Sequence, residues 1–130
     1  MDIQALRERA KSARTLTIEH DGAHYTLVIP SDFEWRTIIK RHREDDSKCT
    51  RALVDAALVG WSGVRVADAV PESDKATESL PFSGEARALL LDYRVDILST
   101  LETALILEFH SRREAREAAQ KNSESASPSN

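Results

Sequence analysis

The chain has 130 residues, of which 41% are hydrophobic and 31% charged, enough for one modest core beneath a charged surface. Lys and Arg number 18 against 22 Asp and Glu, a net charge of −4 that excludes a wholly basic nucleic-acid binder but leaves room for a local basic patch. No apolar run approaches the roughly 18 residues that span a bilayer, and Met1-Asp2-Ile3-Gln4 does not read as the start of a signal peptide. The single cysteine, Cys49, excludes an internal disulfide and fits a reducing compartment. The expectation is an intracellular, soluble domain over residues 1–121, followed by a disordered polar tail at 122–130.

Residues 1–13 are mixed in charge, with Ile3 and Leu6 the only large aliphatics, and fit a short helical arm. From Arg14 the period becomes two. Leu16-Thr17-Ile18-Glu19 alternates, Asp21-Gly22 follows, and Tyr25-Thr26-Leu27-Val28-Ile29 alternates again. Asp-Gly suits a type I′ hairpin turn, which needs positive φ at both central positions. With those two residues as the loop, Leu16, Ile18, Tyr25 and Leu27 share one face, whereas a three-residue loop would scatter them over both. The shorter loop is therefore predicted.

Pro30 ends the ribbon, and Ser31-Asp32-Phe33-Glu34 has the form of a capping box. The helix it opens carries Trp35, Ile38, Ile39 and His42 at i, i+3, i+4 and i+7. Asp45-Asp46-Ser47 offers a new N-cap for a second helix running to about Val59. Cys49, Leu53, Ala56 and Ala57 would lie on one side of it, with Gly60 as its C-terminal cap. Residues 65–79 hold Pro71 and a polar run and read as a long loop. Ser83 is the expected N-cap of a short helix that buries Leu89 and Leu90. A final helix from about Val95 to Gln120 would bury Ile97, Leu98, Leu101, Ala104, Leu105 and Phe109, then protrude as a polar stretch laced by the i,i+4 pairs Arg113/Glu117 and Glu117/Lys121. The fold class that follows is α+β and mostly α: an N-terminal hairpin packed on about four helices.

No catalytic, cofactor-binding or metal-ligating set stands out. His20 and His24 flank the turn but fall on opposite faces of the hairpin, and His42 and His110 have no ligand neighbours in sequence. Cys49 follows Lys48 near a helix start that would favour a thiolate, yet no base is spaced to serve it. The four glycines are too dispersed for a phosphate loop. Six basic residues (Arg36, Lys40, Arg41, Arg43, Lys48, Arg51) stand against Glu44, Asp45 and Asp46 over residues 36–51, a net of +3. That stretch permits a helix-turn-helix reading, a small DNA-binding regulator, although the three carboxylates sit where phosphate would approach. Residues 52–108 are acidic in compensation, an asymmetry suited to protein partners or self-association.

The most distinctive pattern is Leu58-Val59-Gly60-Trp61-Ser62-Gly63-Val64, followed after the loop by Leu80-Pro81-Phe82-Ser83-Gly84-Glu85 and Leu89-Leu90. Trp61 and Phe82 can close the two ends of the loop against each other, with Gly63 permitting a tight bend beside the indole. Over about Leu53 to Leu101 this combination resembles the tail assembly chaperones of long-tailed bacteriophages. In that family a helix ends in a Trp-x-Gly-Val turn, and a Leu/Val-Pro-Phe-Ser segment opens a short leucine-rich helix. The loop here is longer than is usual there and ends in Ala76-Thr77-Glu78-Ser79 rather than an Asp/Gly turn. The resemblance implies a non-enzymatic protein of phage or prophage tail morphogenesis, acting in the cytoplasm of the bacterial host. It implies as partners the tape measure protein and the tail-tube protein, with self-association a further expectation and no membrane, nucleic acid or cofactor. Trp61, Gly63, Val64, Leu80, Pro81, Phe82, Ser83, Leu89 and Leu90 are the residues it singles out, as fold-forming or partner-binding positions.

Overall fold

The hairpin forms in the register its alternation dictates. In the computed structural model, which describes residues 1–126, helix α1 (Ile3–Ala13) leads into strands β1 (Thr15–His20) and β2 (Ala23–Val28). Leu16 pairs with Leu27 and Ile18 with Tyr25, and Asp21 and Gly22 take φ of 50° and 82° in the turn. The ladder runs one step further, since the Ile29 amide donates to the Arg14 carbonyl at 2.9 Å. Ala23, Tyr25, Leu27 and Ile29 are buried, whereas Glu19 and His24 face out.

Helix α2 (Asp32–Arg41) begins with the predicted capping box: the Glu34 amide donates to Ser31 Oγ, and the Ser31 amide donates to Glu34 Oε1. Helix α3 (Asp46–Ala57) is capped by Asp45, whose carboxylate accepts from the Lys48 amide. It buries Leu53, Val54 and Ala57, while Ala56, expected on the buried side, is exposed.

The helix predicted to reach Val59 stops at Ala57, and Leu58–Ser62 form a third strand, β3. β3 pairs antiparallel with β2, leaving β2 central; Tyr25 lies opposite Trp61 and Thr26 opposite Gly60. A register shift between Thr26 and Leu27 leaves Val59 as an extra, exposed residue. The physical reason for the correction is the open edge of the hairpin. Its unpaired β2 amides and carbonyls need partners, and a Leu-Val-Gly-Trp run supplies them across the sheet. Gly60 is thus a strand residue and not a helix cap.

Residues 65–79 are not a free loop. A one-turn helix α4 (Val66–Ala69) opens the segment, and an Arg65/Ser79 bridge closes its base. The Val66 amide donates to the Glu78 carbonyl at 2.9 Å, and that of Leu80 to Val64 at 2.8 Å. Helix α5 (Gly84–Tyr93) is capped by Ser83 as expected, but it buries Ala86, Leu90 and Leu91, and Leu89 is 36% exposed. Three successive leucines span most of a helix circumference, so only packing decides which two face inward.

Helix α6 (Val95–Ala126) seats Ile97, Leu101 and Leu105 in the core. It runs beyond the expected end at Gln120. Residues 122–126, assigned to a disordered tail, are helical, and 127–130 lie outside the described residues. Arg113 pairs with Glu117 at 3.4 Å as its spacing predicts. A single cluster joins the inner face of the sheet to Val54, Ala57, Leu90, Leu91 and the α6 stripe, giving an α+β architecture in which α3, α5 and α6 pack against one face of a three-stranded sheet. Among the described residues no helix is long and apolar enough to cross a membrane.

Candidate functional site

The motif residues build a joint. Trp61 projects from β3, and its Nε1 donates to the Leu80 carbonyl at 2.7 Å. Its ring meets Phe82 edge-on at 4.9 Å and Tyr25 at 6.3 Å. The two ends of the long segment are thereby closed on each other. Gly63 takes a φ of +78°, and a Cβ there would lie 3.0 Å from the Gly22 carbonyl oxygen and 3.3 Å from the Ala23 Cα. The strand end therefore passes so close to the hairpin turn that a side chain would have to push the turn backbone aside, on top of the strain of its positive φ. Val64 and Leu90 are fully buried, and Leu80 and Phe82 pack against the core. Ser83 caps α5, while Pro81 and Leu89 face outward. Seven of the nine positions thus have a folding role visible in their contacts or backbone, and only Pro81 and Leu89 lack one.

Beside the hairpin turn lies an ionic corner that sequence inspection missed. The ligand atoms of His20, Asp21 and Asp96 fall within 4.8 Å of one another. Arg94 supplies the positive charge they need: Nε and Nη2 each lie 2.8 Å from an Asp96 oxygen, and Nη2 lies 3.7 Å from Asp21. Nη1 also reaches the Asp68 carbonyl at 3.1 Å, pinning α4 to the start of α6. The partner of His20 is 76 residues away, a separation no local spacing reveals. Burial pushes the neighbouring Tyr25 phenol up to about 12, with Asp68 adding to the effect.

The bidentate Arg94 pair holds the Asp96 carboxyl well below the usual carboxylate range, against the opposing effect of burial and helped by His20. A depressed folded value means that the corner contributes fully above about pH 4, where the unfolded carboxyl is also ionised. As the pH falls further the unfolded chain takes up the proton first, and the contribution is lost. Asp96→Asn is expected to lower the thermal midpoint at neutral pH and to flatten its decline between about pH 4 and pH 2. Asp96 is 51% exposed, so solvent screening limits the effect to about 1 kcal/mol or less. A decline parallel to that of the parent protein would contradict the assignment.

The basic run divides in two. Arg51 is spent within the fold, donating to Asp92 at 2.7 Å and to both oxygens of Asp55, and so tying α3 to α5. Arg36, Lys40, Arg41, Arg43 and Lys48 have no ion-pair partner among the described residues. Burial pushes the Cys49 thiol up, as do Asp46 and Glu102, the reverse of what an activated nucleophile needs.

Between α2 and α6 lies an open groove of about 760 Å³. Trp35 and Phe109 stack in it at 4.1 Å, nearly parallel, and Ile39 adds an aliphatic surface that is 41% exposed. Arg36, Lys40 and Arg43 form one rim, and His110 and Arg113 the other. Asp32 lines the same groove and pairs with Arg116 at 2.8 Å. Helix α2 has no fully buried residue: Phe33 and Ile39 are exposed, while Trp35 and Ile38 are half-buried and Trp35 packs against the core. The Trp35/Ile39 stripe of α2 is legible in sequence; its pairing with Phe109 is not. The hairpin face, by contrast, is consumed by the core, since Tyr25 and Leu27 are 1% and 0% exposed. No family model matches the chain, and no curated protein or solved structure matches it.

Proposed function

We propose that this protein is a non-enzymatic tail assembly chaperone of a phage or prophage, holding the tape measure protein soluble in the host cytoplasm until tail-tube subunits assemble around it. The observation that carries the reading is the open α2/α6 groove, whose Trp35 and Phe109 floor packs on the core from below while its other side, with Ile39, stays open to solvent. Phe33 on the same helix is 79% exposed and shares Arg36 and Lys40 with the groove, and Leu107 on α6 is 67% exposed. Such a surface suits reversible cover of amphipathic helices. The Trp61-x-Gly63-Val64 and Leu80-Pro81-Phe82-Ser83 resemblance supplies the identity of the partner, and the groove supplies the means.

A small DNA-binding regulator is the second reading, favoured by the unpaired row from Arg36 to Lys48. Against it, α3 opens on Asp45 and Asp46 beside Glu44, where a phosphate would meet three carboxylates.

Co-expression with fragments of the cognate tape measure protein tests the proposal. The expected result is a soluble fragment that co-elutes with this chain in size-exclusion chromatography and stays bound at moderate salt. Insoluble fragments throughout, together with duplex DNA binding that weakens steeply as salt rises, would replace the chaperone by the regulator.

A further inference from the structure

We propose that the α2/α6 groove receives one acidic amphipathic helix, with an apolar stripe flanked by Asp or Glu. The groove runs along α2 from Asp32 to Arg41, a length of roughly 15 Å or nearly three helical turns at 1.5 Å per residue, and continues to Arg43 in the turn that follows. An occupant lying in it would present apolar residues at i, i+3 or i+4, and i+7 to Trp35, Ile39 and Phe109. The rims determine its charge. Arg36 and Lys40 stand at i and i+4 on α2, and Arg43 joins them in the lining from the turn that follows, with no acid among the described residues engaging any of the three. On the other side Arg113 is shared with Glu117, and the one acid of the lining, Asp32, is neutralised by Arg116. A basic or uncharged helix would leave that row without counter-charge, whereas carboxylates beside the stripe would satisfy it. The stacked indole and phenyl rings distinguish the groove from a phosphate track, because backbone phosphates gain nothing from an apolar floor. This proposal takes a helical partner from the chaperone reading but derives the partner's charge from the rims alone.

The test uses the full chain and two labelled synthetic peptides of about 20 residues, long enough to hold a helix. Both carry the same leucine stripe; one is flanked by Glu and the other by Lys. Fluorescence anisotropy is expected to show the acidic peptide binding about tenfold more tightly than the basic one at low salt, with the ratio shrinking as salt rises. The double variant Arg36→Glu/Lys40→Glu, whose side chains lie on an exposed helix surface, should keep its circular dichroism spectrum and reverse the preference. Equal affinity for the two peptides, or no binding of either, would overturn the proposal. So would tighter binding of a duplex oligonucleotide that is lost in the same variant, or a dimer of this chain that the variant dissociates. The same variant separates the two claims. If it solubilises a tape measure fragment as well as the parent does, the groove assignment fails while the chaperone reading stands. If the acidic peptide binds the groove but no tape measure fragment does, the groove assignment stands and the chaperone reading fails.

Discussion

Trp61→Ala is expected to cost about 3–4 kcal/mol and to lower the thermal midpoint by roughly 10–15 °C. Three losses combine. The indole leaves a cavity between β3 and the 80–82 segment, its edge contacts to Phe82 at 4.9 Å and Tyr25 at 6.3 Å vanish, and the Leu80 carbonyl loses its 2.7 Å donor. A total stability of about 5–15 kcal/mol for a domain of this size makes that a large fraction. Trp61→Phe retains an edge contact but not the donor, and should cost about 1 kcal/mol. A midpoint unchanged in Trp61→Ala would mean that the joint does not hold the long segment to the sheet.

Gly63→Ala is expected to cost about 2–3 kcal/mol, through backbone rather than packing. The new Cβ would have to adopt a φ of +78° and sit 3.0 Å from the Gly22 carbonyl oxygen. That atom belongs to the hairpin turn and cannot rotate away as a side chain would. Gly60 is the internal control. A Cβ there meets only the Thr26 Cβ at 3.9 Å, an ordinary contact, so Gly60→Ala should fall within about 0.5 kcal/mol of the parent. Denaturant midpoints of the two variants measured side by side decide the point. Equal costs would show that the close approach of β3 to the turn is not a constraint.

What was legible in the sequence was local. The Asp21-Gly22 turn, the Ser31 and Ser83 caps and the period-two alternation of the hairpin each act within a few residues, so their signals survive without tertiary information. The Trp61/Phe82 closure was legible as well, because both aromatics flank one segment whose ends must meet. β3 was not, since Leu58–Ser62 is short, carries a glycine, and becomes a strand only because β2 offers an open edge. The burial of Val54 in place of Ala56, and of Leu91 in place of Leu89, depends on how α3 and α5 are rotated against α6. Helix periodicity allows either choice. The ionic corner and the groove share a deeper reason. His20 meets Asp96 and Trp35 meets Phe109 across more than seventy residues, and neither pair has any spacing in common with a known chemical motif. Polar composition also hid the end of α6, because residues 122–126 offer nothing to bury and yet continue the helix.

The proposed function implies a division of labour: the motif residues hold the fold together, and the open surface on α2 and α6 is the proposed binding face. Hydrogen exchange of the full chain, with and without a soluble tape measure fragment, tests that division most directly. Slower exchange is predicted along α2 and over residues 106–113 of α6, with β1, β2, β3 and the 61–83 segment unchanged. Protection confined to residues 61–83, or no change anywhere at saturating fragment, would contradict it.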